Sequence, residues 1–253
     1  MLKNLNSPIN KNVTYLSIFK QVLLFIIGLG GLTVIQVILQ LGISSIASLA
    51  TKTTLDYQNF IRSTTFSMLL NGLSYFILFL IFLILLRKDT NELFKSFKGW
   101  KPYVFGLVGF LAILNFNLIY NIILTSAGVS ISDNANESAL NSIVKDFPFL
   151  SILIFAIIGP ICEELTYRVG LFSLLKRVNR WLAYGVTIVV FTLIHFDFSG
   201  ANIVNELLNI PFYTFAAITF AFLYERFGFA SSMSAHITNN LFSLIATIIS
   251  GFR

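Results

Sequence analysis

Seven windows of about 20 apolar residues run through this chain, a length that marks helices able to cross a bilayer. They lie at roughly 21–44, 66–86, 103–125, 148–175, 181–198, 203–224 and 229–249. The expected fold is therefore an all-α polytopic membrane bundle of about seven transmembrane helices. Composition agrees, with 56% hydrophobic and 11% charged residues and a mean hydropathy of +0.83, where a soluble domain averages about 25% charged. The 27 phenylalanines suit lipid-facing helices. One cysteine, Cys162, excludes an internal disulfide framework and reads as a small packing residue.

The charges between the windows orient the bundle. With the N-terminus inside, inner segments carry Lys3, Lys11, Lys20, Arg87, Lys88, Lys95, Lys98, Lys101, Lys176, Arg177, Arg180 and Arg226. Outer segments carry only Lys52, Arg62, Lys145 and Arg253. This excess on one side is the positive-inside pattern, and it predicts N-in and C-out. The net charge of +6 lines membrane edges rather than a soluble face, so no nucleic-acid partner is expected. The first window is not followed by a small-residue cleavage site and reads as a retained anchor. Gly159-Pro160 predicts a kink or break in the fourth window. Glu206, Asn209 and Pro211 interrupt the sixth, and the stretch around 126–147 reads as a flexible polar connection.

Ionisable groups inside apolar spans are costly and mark function by default. Three windows carry them. The fourth holds Glu163-Glu164-Leu165-Thr166-Tyr167-Arg168, the fifth Phe191 and His195, and the seventh His236 and Asn240. Residues four apart share a helix face, so Glu164 and Arg168 can pair, while Glu163 points about 100° away without a local partner. Counted inward from the basic loops at about 1.5 Å per residue, Glu163, His195, His236 and Asn240 lie roughly 15–22 Å deep. Helix-gluing residues have no reason to share a level; a common site does.

At these residues the chain resembles the CPBP family of intramembrane proteases, also called the CAAX-protease and bacteriocin-processing (Abi) family. Its three motifs, Glu-Glu-x-x-x-Arg, Phe-x-x-x-His and His-x-x-x-Asn, are matched in order by Glu163-Glu164 with Arg168, Phe191 with His195, and His236 with Asn240. Leu223-Tyr224-Glu225-Arg226 followed by Gly228 is similar to the family's linker before its last motif. Val169 departs from the glycine that many members have there. The resemblance covers roughly 147–245 as a catalytic core, with three further spans and their loops in 1–146.

The resemblance implies a membrane-embedded endopeptidase. Glu163 would activate water, and His195, His236 and Asn240 would complete the site, with Glu164, Arg168 and Phe191 in support. The chemistry leaves two routes open. Glu163, His195 and His236 form a donor set for zinc with one position left for water, and a metal-free glutamate and histidine pair with Asn240 on the carbonyl also works. The zinc-protease signature His-Glu-x-x-His is absent. The expected partners are a peptide or protein substrate and the lipid bilayer. The expected location is a bacterial cell membrane, with peptide maturation or bacteriocin self-immunity as the role. Two other classes compete: a transporter or proton relay built on the same Glu and His residues, and a non-catalytic immunity protein.

Overall fold

A computed structural model describes residues 13–14, 16–199 and 202–251. Lys3, Lys11 and Arg253, three of the bases used for orientation, lie outside the described residues. Among the described residues there are helices and turns but no strand. The helices are α1 (Ile18–Ala50), α2 (Thr54–Ile61), α3 (Thr64–Leu86), α4 (Thr90–Phe94), α5 (Lys101–Ser126), α6 (Ala135–Asp146), α7 (Pro148–Lys176), α8 (Arg180–Leu193), α9 (Ile203–Phe227) and α10 (Phe229–Gly251). Short polar side chains start most of them. Ser17, Thr53, Ser63, Asn134, Asn179 and Asn202 each accept a backbone N–H of the first turn, which satisfies donors that the helix itself cannot.

Among the described residues five helices are long and apolar enough to cross a membrane: α1, α3, α5, α7 and α9. The other two expected spans differ in kind. The helix α10 has the length, at 23 residues, but its serines, His236 and paired asparagines make it less apolar. The helix α8 has only 14 residues, about 21 Å at the helical rise, short of the roughly 30 Å of bilayer hydrocarbon. The expected span 181–198 thus ends early as a helix, at Leu193, and leaves His195 in the following turn.

The cause is local. The carbonyl of Phe191 would accept the N–H of residue 195 in a continuing helix, but the His195 imidazole takes it through Nδ1 at 2.8 Å. The His195 N–H turns instead to the Thr192 carbonyl at 3.2 Å. A side chain has displaced a backbone rung.

The helix α7 is the centre of the bundle. Of its most apolar window 61% is buried, against 11% for α1. It packs against α1, α3, α8 and α10. Of the kink or break expected at Gly159-Pro160, the break does not occur. The helix stays continuous, with two wide π-wound stretches, Ile152–Ile158 and Leu165–Phe172, flanking an ordinary α-helical turn at Gly159–Glu164. Proline removes one backbone donor, and wider i→i+5 winding re-pairs the ladder around it.

The helix α1 reaches this centre through Gly28. A Cβ there would stand 1.9 Å from Thr166 Oγ1, and that hydroxyl is held by the Cys162 carbonyl at 2.7 Å. Thr166 is β-branched and tied, so it cannot yield cheaply. We expect Gly28→Ala to lower stability by about 1–3 kcal/mol, read as thermal unfolding in detergent. Gly30→Ala, where an added Cβ meets nothing within 4 Å, should leave it unchanged.

The connection 126–147 corrects a second expectation, since it contains α6 and is tied down. Ser132 N–H donates to Asn205 Oδ1 at 3.0 Å, and Asn209 Nδ2 donates to the Ser132 carbonyl at 3.1 Å. Glu206 accepts from the N–H groups of Ala135 at 2.9 Å and Asp197 at 3.1 Å, joining two loops. The polar residues that interrupt the sixth window therefore clamp this connection onto α9. At the opposite end of α9, Gly228 takes a φ of +93°, a conformation that favours glycine. It allows α9 to turn directly into α10. Glu225, in the last turn of α9, accepts from Lys176, Arg180 (2.9 Å) and Tyr184 (2.7 Å).

Candidate active site

The short α-helical turn of α7 presents Glu163 and Glu164 to α10. His236 lies between them: its Nδ1 is 3.0 Å from Glu164 Oε1, and its Nε2 is 3.6 Å from Glu163 Oε2. Because an ionised carboxylate only accepts, Nδ1 carries a proton toward Glu164, and Nε2 is turned toward Glu163 without a hydrogen bond. The ring stacks on Phe220, with centroids 4.4 Å apart and planes 19° apart.

The two carboxylates have different surroundings. Glu164 is fully buried, accepts from Ser232, and faces Arg168 Nε at 3.5 Å. The expected Glu164–Arg168 pair is therefore present. Arg168 is also fully buried, its guanidinium held 4.7 Å from the Phe191 centroid and 5.3 Å from that of Phe220, two rings set edge to face at 6.2 Å that both make cation–π contact with it. The Glu163 side chain keeps 16% of its surface exposed, which makes it the more accessible of the two carboxylates.

His195 joins from α8. With Nδ1 donating to the Phe191 carbonyl, its Nε2 is free. Phe191 separates the two histidines, its centroid 4.9 Å from His195 and 5.9 Å from His236. Tyr213 of α9 stacks on His195 at 4.5 Å and 18°. Asn134 Nδ2 donates to both the His195 carbonyl (3.2 Å) and the Tyr213 hydroxyl (3.0 Å), so the clamped connection ends above this histidine. Beside it, burial and then the charge of Asp133 push the Glu137 carboxyl up from its ordinary range.

Asn240 is on the same face of α10 as His236, as the spacing predicts. One N–H of its amide goes to the Phe155 carbonyl of α7 at 3.1 Å, and Asn239 donates to its oxygen at 3.4 Å. No hydrogen bond joins it to Glu163 or either histidine among the described residues. The structure thus brings Glu163, Glu164 and His236 into direct contact, with His195 across one phenyl ring and Asn240 one helical turn along.

Among the described residues no three His, Cys, Asp or Glu side chains are grouped so that they could hold a metal ion. Glu164 makes one contact that its spacing does not signal: besides pairing with Arg168 it accepts from His236 Nδ1 at 3.0 Å. Ser232 was detectable, being four residues before His236 on one helix face. Tyr213 and Phe220 are contributed by α9 through tertiary packing, and nothing local signals them.

Comparison with known proteins agrees with the motif reading. Residues 145–242 match a family model described as type II CAAX prenyl endopeptidase Rce1-like, which bears out the CPBP resemblance over that segment. A protein of Lactococcus lactis subsp. lactis (strain IL1403) named "UPF0177 protein YvdC" is 23% identical over 184 residues, 71% of this chain and 67% of that protein. A protein of Bacillus subtilis (strain 168) named "Putative membrane peptidase YdiL" is 32% identical over 95 residues, 37% of this chain and 35% of that protein. The chain thus matches about two thirds of the first relative and about a third of the second. No solved structure matches.

Proposed function

We propose that the chain is an intramembrane endopeptidase in which Glu163 activates water against a bond in a peptide or in the terminal segment of a protein. One observation carries this reading. The more exposed of the two carboxylates, Glu163, faces Nε2 of His236, whose other nitrogen is held by a second, buried carboxylate. The match of residues 145–242 to an endopeptidase family and the relative named as a membrane peptidase support the same class.

In this reaction Glu163 takes a proton from water, the water oxygen bonds to the carbonyl carbon, and the carbonyl electrons move onto its oxygen. Their return breaks the C–N bond, and the leaving nitrogen takes a proton from the Glu163 carboxyl or from His236. Glu164 stabilises the imidazolium whenever His236 carries that proton, as the acid does in a hydrolase triad. The second N–H of Asn240 is the donor left for the carbonyl oxygen, and His195 Nε2 accepts from water or from the substrate amide. The bacterial relatives support placement in a bacterial cell membrane; peptide maturation or bacteriocin self-immunity is the role we propose there.

The test is mass spectrometry of secreted and membrane peptides from cells carrying wild type or Glu163→Ala. A peptide processed only by the wild type identifies class and bond together. Identical peptide profiles, with substrate flux in proteoliposomes, would make the chain a transporter instead. Chelation of the purified protein should leave cleavage unchanged, whereas loss that zinc restores would place an ion between Glu163, His195 and His236.

A further inference from the structure

Glu163 is held from outside the segment that matches the endopeptidase family. Tyr75 lies on α3, and its hydroxyl donates to Glu163 Oε1 at 3.3 Å, while Oε2 faces His236 Nε2 at 3.6 Å. A glutamate has three rotatable bonds, and a carboxylate offers about four lone-pair directions, so an unheld Glu163 would sample many orientations. The tyrosine ring is fixed in turn. It packs edge-on against Phe155, with centroids 6.4 Å apart and planes at 85°. The carbonyl of Phe155 is the group that accepts from Asn240. One chain of contacts therefore runs from α3 through α7 to α10 and ends on two of the candidate site residues.

We propose that Tyr75 is a positioning residue for Glu163, a reading that rests on the proteolytic function above. Its hydroxyl occupies one carboxylate oxygen and turns the other toward His236 and the attacking water. A charge-assisted hydrogen bond of this kind is strong enough to fix a side chain, and misplacement of a base by about 1 Å costs on the order of 100-fold in rate. The N-terminal spans are then part of the enzyme's chemistry as well as its anchor, because they supply the contact that aims the base.

The experiment uses the full chain in proteoliposomes and a quenched fluorogenic peptide carrying the bond mapped by the peptide comparison. Tyr75→Phe removes only the hydroxyl and keeps the ring against Phe155. We expect kcat to fall about 10- to 100-fold with KM unchanged, and the melting temperature to stay at the wild-type value. In a Glu163→Gln background the same substitution should change the residual rate less than about twofold, because residues acting as a unit are not additive. Wild-type kcat in Tyr75→Phe, or an equal loss in both backgrounds, overturns the positioning role while the proteolytic reading stands. Wild-type cleavage by Glu163→Gln alone overturns the proteolytic reading itself.

Discussion

Glu163→Gln lowers kcat/KM by roughly 10²- to 10⁴-fold, the range that a general base contributes, and leaves the fold intact. The amide has nearly the same shape, and its oxygen can still accept from Tyr75, so the contact at 3.3 Å survives. What disappears is the capacity to take a proton from water. Stability should hardly change, because the side chain is partly exposed and its cationic partner, Arg168, is matched by Glu164 instead. The check is a pair of measurements on the same purified variant, rate on the mapped peptide and thermal unfolding in detergent. A stable variant with wild-type rate would remove Glu163 from the reaction.

Glu164→Gln should lose both activity and stability, which separates the two neighbouring carboxylates. Glu164 is the countercharge of a fully buried guanidinium, and Arg168 Nε, Nη1 and Nη2 have no hydrogen-bond partner among the described residues. Removing one member of a buried pair leaves the other uncompensated, at a cost of about 3–5 kcal/mol. The variant therefore unfolds at a distinctly lower temperature. It also loses the acceptor for His236 Nδ1–H. Loss of the equivalent charge in a hydrolase triad drops kcat by about 10⁴-fold through the wrong tautomer, and a similar loss is expected in the fraction that stays folded. Wild-type melting would mean that Arg168 finds its balance elsewhere, and wild-type kcat would mean that His236 needs no fixed tautomer.

Apolar length, the three motifs and their common depth were legible because they depend on spacing along single helices. Glu164 with Arg168 is such a case, four residues apart on α7. Contacts made across helices were not legible. Tyr75 is one aromatic among many in an apolar span, and only packing of α3 on α7 brings its hydroxyl to Glu163. The end of α8 was missed for a different reason. Periodicity measures side-chain burial, whereas His195 ends the helix by claiming a backbone carbonyl. The winding of α7 was likewise hidden, since Pro160 signals a lost hydrogen bond without saying how the ladder re-pairs. The clamp at 126–147 was half visible: Glu206 and Asn209 looked like flaws in a span until the connection they hold was placed against them.

The burial of Arg168 against two phenyl rings has a consequence for the energetics of the proposed reaction. With both histidines neutral, Glu163, Glu164 and Arg168 sum to one negative charge inside hydrocarbon. When Glu163 takes a proton from water, that charge does not vanish and no second one forms; it shifts a few ångströms onto the oxygen of the attacked carbonyl. A medium of low permittivity penalises making new charge far more than moving an existing one. The cation that shares the cluster sits behind aromatic rings and cannot leave, so the site enters and leaves the transition state at constant net charge.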